Sequence, residues 1–194
     1  MRTKKDFLLA GVGGQGTILA SDVLVNVGGR IGYDVKKSEI HGMAQRGGSV
    51  TSHVRWADKV YAPFIGEGEA DYFLAFEKLE AVRQVGSLKP GGVIIVNDYR
   101  IPPISVSSGG AVYPPDEEIH RMLEQVSADI HFVPGIAIAE ELGNTRVSNV
   151  VLLGALSSFL EVAEDVWLEA IARRVPERFI NVNKQAFLRG REAV

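Results

Sequence analysis

The chain has 194 residues and no cysteine, and its 21 Lys and Arg against 24 Asp and Glu give a formal net charge of −3. This length suits a single domain over residues 1–194, and the charge balance offers no basic field for nucleic acid. Without cysteine the chain can hold neither a disulfide, nor a cysteine-ligated iron–sulfur cluster, nor a thiolate nucleophile.

The first half of the chain alternates between strand and helix signals. A buried strand over 7–10 leads into a glycine loop at 11–16 and a helix over 17–27. A second strand covers 33–37 and is followed by a polar, glycine-bearing loop over 38–48. The two-residue alternation over 49–56 predicts a half-buried strand, which we expect to turn at 57–59 and return over 60–62 as an antiparallel hairpin.

The second half continues the alternation and ends in helices. Strands are predicted at 71–76, 93–96 and 130–133, and helices at 77–85 and at 116–126, the latter capped by Asp116. The proline-rich stretch 101–115 predicts a loop with at most a short strand at 111–113. Segments 134–142, 147–160, 167–174 and 178–190 form a helical tail. Together these elements predict a three-layer, Rossmann-like α/β domain with a largely parallel sheet.

No segment is apolar over a length that would span a membrane or form a signal-peptide core. Only a short apolar run follows the basic start of the chain, and the apolar stretch 147–160 is too short to cross a bilayer. We therefore expect a cytoplasmic protein with no membrane partner.

The glycine loop has two interpretations. Gly11, Gly13 and Gly16 fit GxGxxG between a strand and a helix, so backbone N–H groups of the loop and of the helix start would favour an anionic ligand. Any tight turn whose helix packs closely on its strand also requires glycine. An acidic residue that would hold the ribose of NAD is absent from the end of the second strand, and an NADP site would depend on Lys36 and Lys37.

The segment 38–48 is the second informative feature, because it brings acid, base, amide and guanidinium groups to the exit of a strand. In open α/β sheets ligands bind at the carboxyl edge, so this position suits a site. A solvated surface loop is the alternative. Arg46 is either a bidentate clamp for a carboxylate or phosphate, or a surface charge. No second histidine or carboxylate lies at metal-ligand spacing beside His41, so a surface position is favoured over metal binding. Asn97 and Asp98, at a strand end, are either turn formers or site residues.

Several enzyme classes lack their usual motifs. The chain contains no GxSxG, HExxH or GxxxxGK[ST] segment, which excludes serine hydrolases, zinc proteases and P-loop enzymes in their usual forms. His53 lies in a strand, where an exposed or paired position is favoured over catalysis, and Glu77 stands where a helix begins. No catalytic residue and no metal site is assigned to this chain.

Three segments carry a resemblance to a known family. GVGGQG at 11–16, SEIHGMAQRGGS at 38–49 and ADYFLAFE at 70–77 resemble the gamma-type domain of 2-oxoacid:ferredoxin oxidoreductases. The middle segment is most similar to the beta subunit of indolepyruvate ferredoxin oxidoreductase. The likeness continues through GGVIIVN at 91–97 and the segments 149–154 and 181–190, so it covers nearly the whole chain.

The resemblance implies a small subunit of an enzyme that oxidatively decarboxylates 2-oxoacids to acyl-CoA and CO₂ and reduces ferredoxin. It implies that thiamine diphosphate, Mg²⁺ and iron–sulfur clusters belong to a larger partner subunit, with CoA as co-substrate and ferredoxin bound through the complex. The cleft-facing residues would then be Gly11, Gly13, Gly14, Gln15, Gly16, Ser38, His41, Gly42, Gln45, Arg46, Gly47, Gly48 and Asn97.

Three alternatives stay open at the level of sequence. The chain could be a self-sufficient NADP-binding reductase, a subunit of a pyruvate or 2-oxoglutarate enzyme, or an assembly scaffold whose glycine loop serves only helix packing.

Overall fold

The computed structural model describes residues 2–42 and 48–194. Within these ranges a single sheet contains six strands in the order β2-β3-β1-β4-β5-β6. The strands are β1 (Lys5–Val12), β2 (Asp34–His41), β3 (Ser49–Ala57), β4 (Ala70–Ala75), β5 (Leu88–Asn97) and β6 (Ile130–Val133). The pairs β1/β4, β4/β5 and β5/β6 are parallel, whereas β3 is antiparallel to both β1 and β2.

Helices cover both faces of the sheet. Those in the described part of the chain are α1 (Thr17–Arg30), α2 (Lys78–Gln84), α3 (Ile104–Ser107), α4 (Asp116–Glu124), α5 (Gly135–Glu141), α6 (Ser148–Ser157), α7 (Glu164–Arg174) and α8 (Ile180–Arg191). On one face of the sheet a buried apolar cluster contains residues of α1, α5, α6, α7 and α8. On the other face a second cluster contains residues of α2 and α4. The predicted three-layer α/β architecture with a largely parallel sheet and a helical tail is confirmed.

The predicted hairpin between β3 and residues 60–62 is wrong. Both edges of β3 are occupied, one by β1 and the other by β2, so no edge remains for another strand. The antiparallel hairpin is formed instead by β2 and β3. Consequently β2 extends to His41, and residues 38–41 are strand rather than loop.

Two further local predictions are corrected. The loop 101–115 contains the one-turn helix α3, which begins directly after Pro103 and therefore keeps the prolines out of its hydrogen-bonded turn; no strand forms at 111–113. Asp116 does not cap α4, whose N-cap is Pro115. Asp116 is the first helical residue and forms ion pairs with Lys78 and Arg100 instead.

The polar residues of β3 are more buried than their alternation predicts. Thr51, Ser52 and His53 are all buried, because β3 is an interior strand and residues 64–65 cover the face that carries His53. His53 Nδ1 accepts a hydrogen bond from the backbone N–H of Ile65 at 3.3 Å, and its ring stacks on Phe64. The prediction of a half-buried β3 is therefore wrong, and His53 is an internal acceptor rather than an exposed group.

We expect His53 to make the free energy of unfolding depend on pH. Burial, helped by the positive charge of Arg55, holds the pKa of His53 below its ordinary value. The unfolded chain then binds a proton on this histidine where the folded chain does not, so stability falls as the pH drops below about 6.5. Urea unfolding between about pH 7 and pH 5 measures this slope.

The matched control for this experiment is His53→Asn. Its amide oxygen keeps an acceptor near the Ile65 N–H but does not titrate, so its stability should fall less on acidification. Equal slopes for the two chains would contradict the assignment.

Candidate functional site

The glycine loop lies at the carboxyl edge of the sheet, where β1, β4 and β5 end side by side. Gly14 and Gly16 adopt φ values of +100° and +83°, the left-handed region that glycine enters without strain. Gly16 is the N-cap of α1, so the loop passes directly into the helix. The predicted succession of strand, glycine loop and helix is confirmed.

Close packing accounts for two of the three motif glycines. A Cβ on Gly16 would lie 2.3 Å from Asn149 Nδ2, and one on Gly11 would lie 2.9 Å from Phe76 Cβ. Asn149, on α6, donates from this Nδ2 to the carbonyl of Gly16 at 3.3 Å. These contacts support the interpretation that the loop must contain glycine for packing, whether or not it binds a ligand.

Gln15 and Asn97 are tied into the scaffold by both ends of their amides. Gln15 Oε1 accepts from the Val12 N–H at 2.7 Å, and its Nε2 donates to the Phe76 carbonyl at 2.8 Å. Asn97 Nδ2 donates to the same carbonyl at 3.2 Å, and its Oδ1 accepts from the Gly135 N–H at 3.1 Å. This network of side-chain amides joins the ends of β1, β4 and β5 to the start of α5, and it fixes the shape of the glycine loop.

The end of β2 and the start of β3 lie beside the glycine loop. The N–H of Gly13 donates to the carbonyl of Gly48 at 3.0 Å, and the N–H of Gly42 donates to the carbonyl of Ser49 at 2.9 Å. Ser49 Oγ in turn donates to Glu80 Oε2, on α2, at 2.6 Å. The two motifs that sequence analysis singled out are therefore physically joined, although β3 separates β2 from β1 in the sheet.

The remaining predicted residues of this segment fall into two groups. Ser38 lies in β2 opposite His53, and the half-exposed His41 side chain lies at the end of β2, with its Nε2 3.5 Å from Glu39 Oε2. Gln45, Arg46 and Gly47 lie outside the described residues.

Two grooves flank the glycine loop at this edge. The first, which we call groove A, is lined by Gly13, Gly14, Gly16, Thr17, Ile18, His41, Gly42 and Val50. The second, groove B, lies between the loop and the start of α6; its lining includes Gln15, Leu19, Tyr99, Ile136, Glu140, Arg146 and Asn149. Helix α1 begins between them without a side-chain cap and without an acidic residue in its first turn, so no carboxylate of that turn offsets its positive end.

The two lysines required for an NADP site are engaged elsewhere. Lys37 forms ion pairs with Asp22 and Glu39, and Lys36 pairs with Asp34 at 3.3 Å. Burial alone would lower the pKa of Lys37, but the two carboxylates outweigh it and raise that pKa. Lys37 stands level with Phe7 in the sheet, four residues before Gly11 and hence roughly 13 Å from the loop. This geometry does not favour an NADP site.

A buried polar cluster beside groove B is absent from the sequence predictions. Glu77 is the N-cap of α2, as predicted, but its buried carboxylate also accepts from the Tyr113 hydroxyl and from the Ile101 N–H. Burial and the Glu77 carboxylate raise the pKa of Tyr113, whereas Arg100 and Lys78 lower the pKa of Asp116 to about 2. The cluster fastens segment 99–115 to the sheet edge. Only the helix-start signal at Glu77 pointed to it.

The described part of the chain presents neither a group of metal ligands nor a membrane-spanning helix. Across residues 2–42 and 48–194, no group of three His, Asp or Glu side chains is placed to hold a metal ion. Among the helices described above, none is both long and apolar enough to cross a bilayer.

Comparison with known proteins places nearly the whole chain in one family. A family model described as pyruvate ferredoxin/flavodoxin oxidoreductase matches residues 6–193. The chain belongs to this family.

Relatives within the pyruvate ferredoxin/flavodoxin oxidoreductase family differ in their named substrates. Indolepyruvate oxidoreductase subunit IorB of Pyrococcus horikoshii is 41% identical over 186 residues, which cover 94% of this chain and 92% of that protein. The 2-oxoglutarate synthase subunit KorC of Methanothermobacter marburgensis is 29% identical over 200 residues and covers 98% of this chain and 97% of that protein.

A solved structure in the same family agrees with the fold. The gamma subunit of the keto/oxoacid ferredoxin oxidoreductase of Geobacter sulfurreducens superposes with a TM-score of 0.72 at 26% identity, covering 97% of each chain. The resemblance to gamma-type subunits that the sequence motifs suggested is thereby confirmed.

Proposed function

We propose that this chain is the small subunit of an indolepyruvate ferredoxin oxidoreductase. The observation that carries the proposal is its full-length similarity to an indolepyruvate oxidoreductase subunit, which is 41% identical, against 29% for a 2-oxoglutarate synthase subunit. The reaction is the oxidative decarboxylation of an arylpyruvate to the acyl-CoA and CO₂, with reduction of ferredoxin.

The cofactors belong on a larger partner subunit in this proposal. The chain has no cysteine to ligate an iron–sulfur cluster, and its described residues present no cluster of metal ligands. Thiamine diphosphate, Mg²⁺ and iron–sulfur clusters on the partner would supply the decarboxylation and electron transfer. The chain by itself would then be inactive.

The carboxyl edge is the face that we assign to the partner and to CoA. Two exposed apolar side chains line the grooves beside the glycine loop there, namely Ile18 in groove A and Tyr99 in groove B. In this proposal the loop and segment 38–48 form one wall of the cleft, and His41, Gln45 and Arg46 orient groups of the substrate or the partner. Gln15 and Asn97 serve that wall by holding its shape, since their amides are bonded internally.

The first experiment is affinity capture of the chain from its native host under anaerobic conditions, followed by an assay of 2-oxoacid-dependent ferredoxin reduction. Recovery of a large, cysteine-rich thiamine-binding partner with a preference for indolepyruvate is expected. A complex that prefers pyruvate or 2-oxoglutarate would reassign the substrate. A chain recovered alone that binds NADPH would overturn the proposal.

The role of the cleft wall has its own test, Arg46→Ala in the reconstituted complex. We expect a raised KM for CoA or for the 2-oxoacid, or weaker assembly, because a guanidinium that clamps an anion is lost. The matched control is Arg121→Ala, an exposed residue in the last turn of α4, which packs on the opposite face of the sheet from α1. If Arg46→Ala changed neither assembly nor either KM, the assignment of Arg46 to the cleft would be withdrawn.

A further inference from the structure

The outer edge of β2 is a row of backbone groups without partners in the described part of the chain. β2 has 8 residues, contains no proline, pairs with β3 in one unbroken register and is the last strand on its side of the sheet. The N–H of Gly42 donates to the carbonyl of Ser49, so the even-numbered residues of β2 are those bonded to β3. The odd-numbered residues direct their N–H and C=O groups outward, where no described residue bonds to them. Such an edge is a template for another strand.

The charges of β2 do not protect this edge. Lysines on an edge strand commonly repel an incoming strand. Here Lys36 pairs with Asp34, and Lys37 pairs with Glu39 and with Asp22 of α1. The two lysines and two acidic residues of β2 therefore cancel, and the strand carries alternating regions of both signs that a strand of the same sequence can match.

Exposed apolar side chains flank the middle of the same edge. Ile40 is 47% exposed and Phe64 is 55% exposed. The Phe64 ring stacks on His53, and His53 is directly opposite Ser38 of β2. Ile40 follows Ser38 by two residues and so lies on the same face of the sheet. The centre of β2 thus has apolar surface beside it on one face.

We propose that β2 is a self-association surface, on which β2 of a second copy of this chain pairs antiparallel about a two-fold axis at Ser38. In this register Lys37 is opposite Glu39 of the second copy, and the aliphatic part of Lys36 covers the exposed Ile40. An axis one residue earlier would oppose two Lys37 side chains, and one residue later two Glu39 side chains, both of which are unfavourable. Charge complementarity therefore selects both the occupant and its register.

This pairing leaves the glycine loop accessible. β3 is antiparallel to both β1 and β2, so β2 runs in the same direction as β1 and ends at the carboxyl edge. A two-fold axis perpendicular to the sheet places the carboxyl edges of the two copies at opposite ends of one continuous sheet. Each copy can then still present that edge to another protein, and the inference does not rest on the proposed function.

Disulfide trapping tests the register directly, because the chain has no cysteine of its own. The two Ser38 residues would form a non-hydrogen-bonded pair with Cα atoms about 4.5 Å apart, within reach of a disulfide. Under mild oxidation of the full chain we expect Ser38→Cys to form covalent dimers at least about tenfold faster than Ser108→Cys, because pairing raises the local thiol concentration. Ser108 is exposed and lies after α3, and the reaction of each thiol with iodoacetamide corrects for accessibility.

Sedimentation of the full chain over a concentration series tests the association itself. One strand pair with a small apolar contact is at the low end of interface sizes, so we expect a dissociation constant of roughly 10–100 μM. Glu39→Lys should weaken the dimer at least about tenfold, because it opposes like charges at both symmetry-related positions. Circular dichroism of this variant checks that the chain remains folded.

The matched charge reversal is Glu161→Lys. Glu161 is exposed and lies two residues after Phe159, which contacts His131 of β6 at the opposite edge of the sheet, so the affinity should not change. A chain that stays monomeric throughout the series would overturn the inference. So would a dimer that Glu39→Lys leaves intact, or equal trapping rates for Ser38→Cys and Ser108→Cys, since either would place the contact elsewhere. These results are independent of whether the chain joins an oxidoreductase complex.

Discussion

Gly190→Ala should lower the free energy of unfolding by about 3 kcal/mol or more, as expected when a buried backbone contact is overfilled. Helices α6 and α8 touch backbone to backbone at a reciprocal pair of glycines. A Cβ on Gly190 would lie 1.9 Å from the Val151 carbonyl oxygen, and one on Gly154 would lie 2.0 Å from the Phe187 carbonyl oxygen. Backbone atoms cannot rotate away, so the two helices would have to separate. Equilibrium denaturation measures the loss.

A matched control for this substitution is available on α1. Gly29 is also helical and exposed, and a Cβ there would meet nothing within 4 Å. Gly29→Ala should leave stability unchanged or raise it by up to about 1 kcal/mol, because alanine loses less backbone entropy in a helix. A Gly190→Ala chain as stable as the Gly29→Ala chain would contradict the packing argument.

Asp6→Asn should lower the free energy of unfolding by about 3 kcal/mol, the range for breaking a buried ion pair. The Asp6 carboxylate is fully buried and is held by Arg55 through two contacts of 3.0 and 2.9 Å, and Lys4 Nζ lies 2.8 Å away. Asp6 on β1 and Arg55 on β3 are directly opposite each other in the sheet, so their ion pair joins the two strands. Neutralising Asp6 leaves the largely buried Arg55 with reduced compensation.

Glu69→Gln provides the comparison, because Glu69 contacts the same Arg55 at 2.7 Å but is half-exposed. Water screens that pair, so its loss should cost much less than the loss of Asp6. Urea unfolding of both variants under identical conditions measures the difference. Equal losses of unfolding free energy in the two variants would contradict the argument that burial makes the Asp6–Arg55 ion pair the stronger one.

Local signals predicted the fold where neighbouring residues decide the structure. The glycine loop followed by α1, and strand β6 at residues 130–133, were predicted because each depends on a short run of apolar residues or glycines. The strands that pair with β3 were not predicted, because strand pairing depends on which edges are free in the assembled sheet. Residues 60–62 have a strand-like sequence but find both edges of β3 occupied.

The candidate site was predicted in its location but not in the orientation of its side chains. Gln15 and Asn97 have the chemistry of ligand-binding residues, yet both amides are bonded to the backbone of the scaffold. The sequence pattern predicts Thr17 only as the start of a helix, although this buried residue also lines groove A. Sequence gives residue type and spacing, whereas the direction of a side chain depends on residues distant in the chain, such as Phe76 for Gln15 and Gly135 for Asn97.

The hydrogen bond from Gly13 to Gly48 has a thermodynamic consequence. It joins the backbone of the glycine loop to Gly48, just before β3, so a ligand that displaces one of these residues also acts on the other. Linkage then requires reciprocity: if docking of a partner subunit on segment 38–48 tightens the hold of the loop on an anion by some factor, the anion strengthens docking by the same factor. In the complex proposed above, assembly would in this way depend on the presence of substrate.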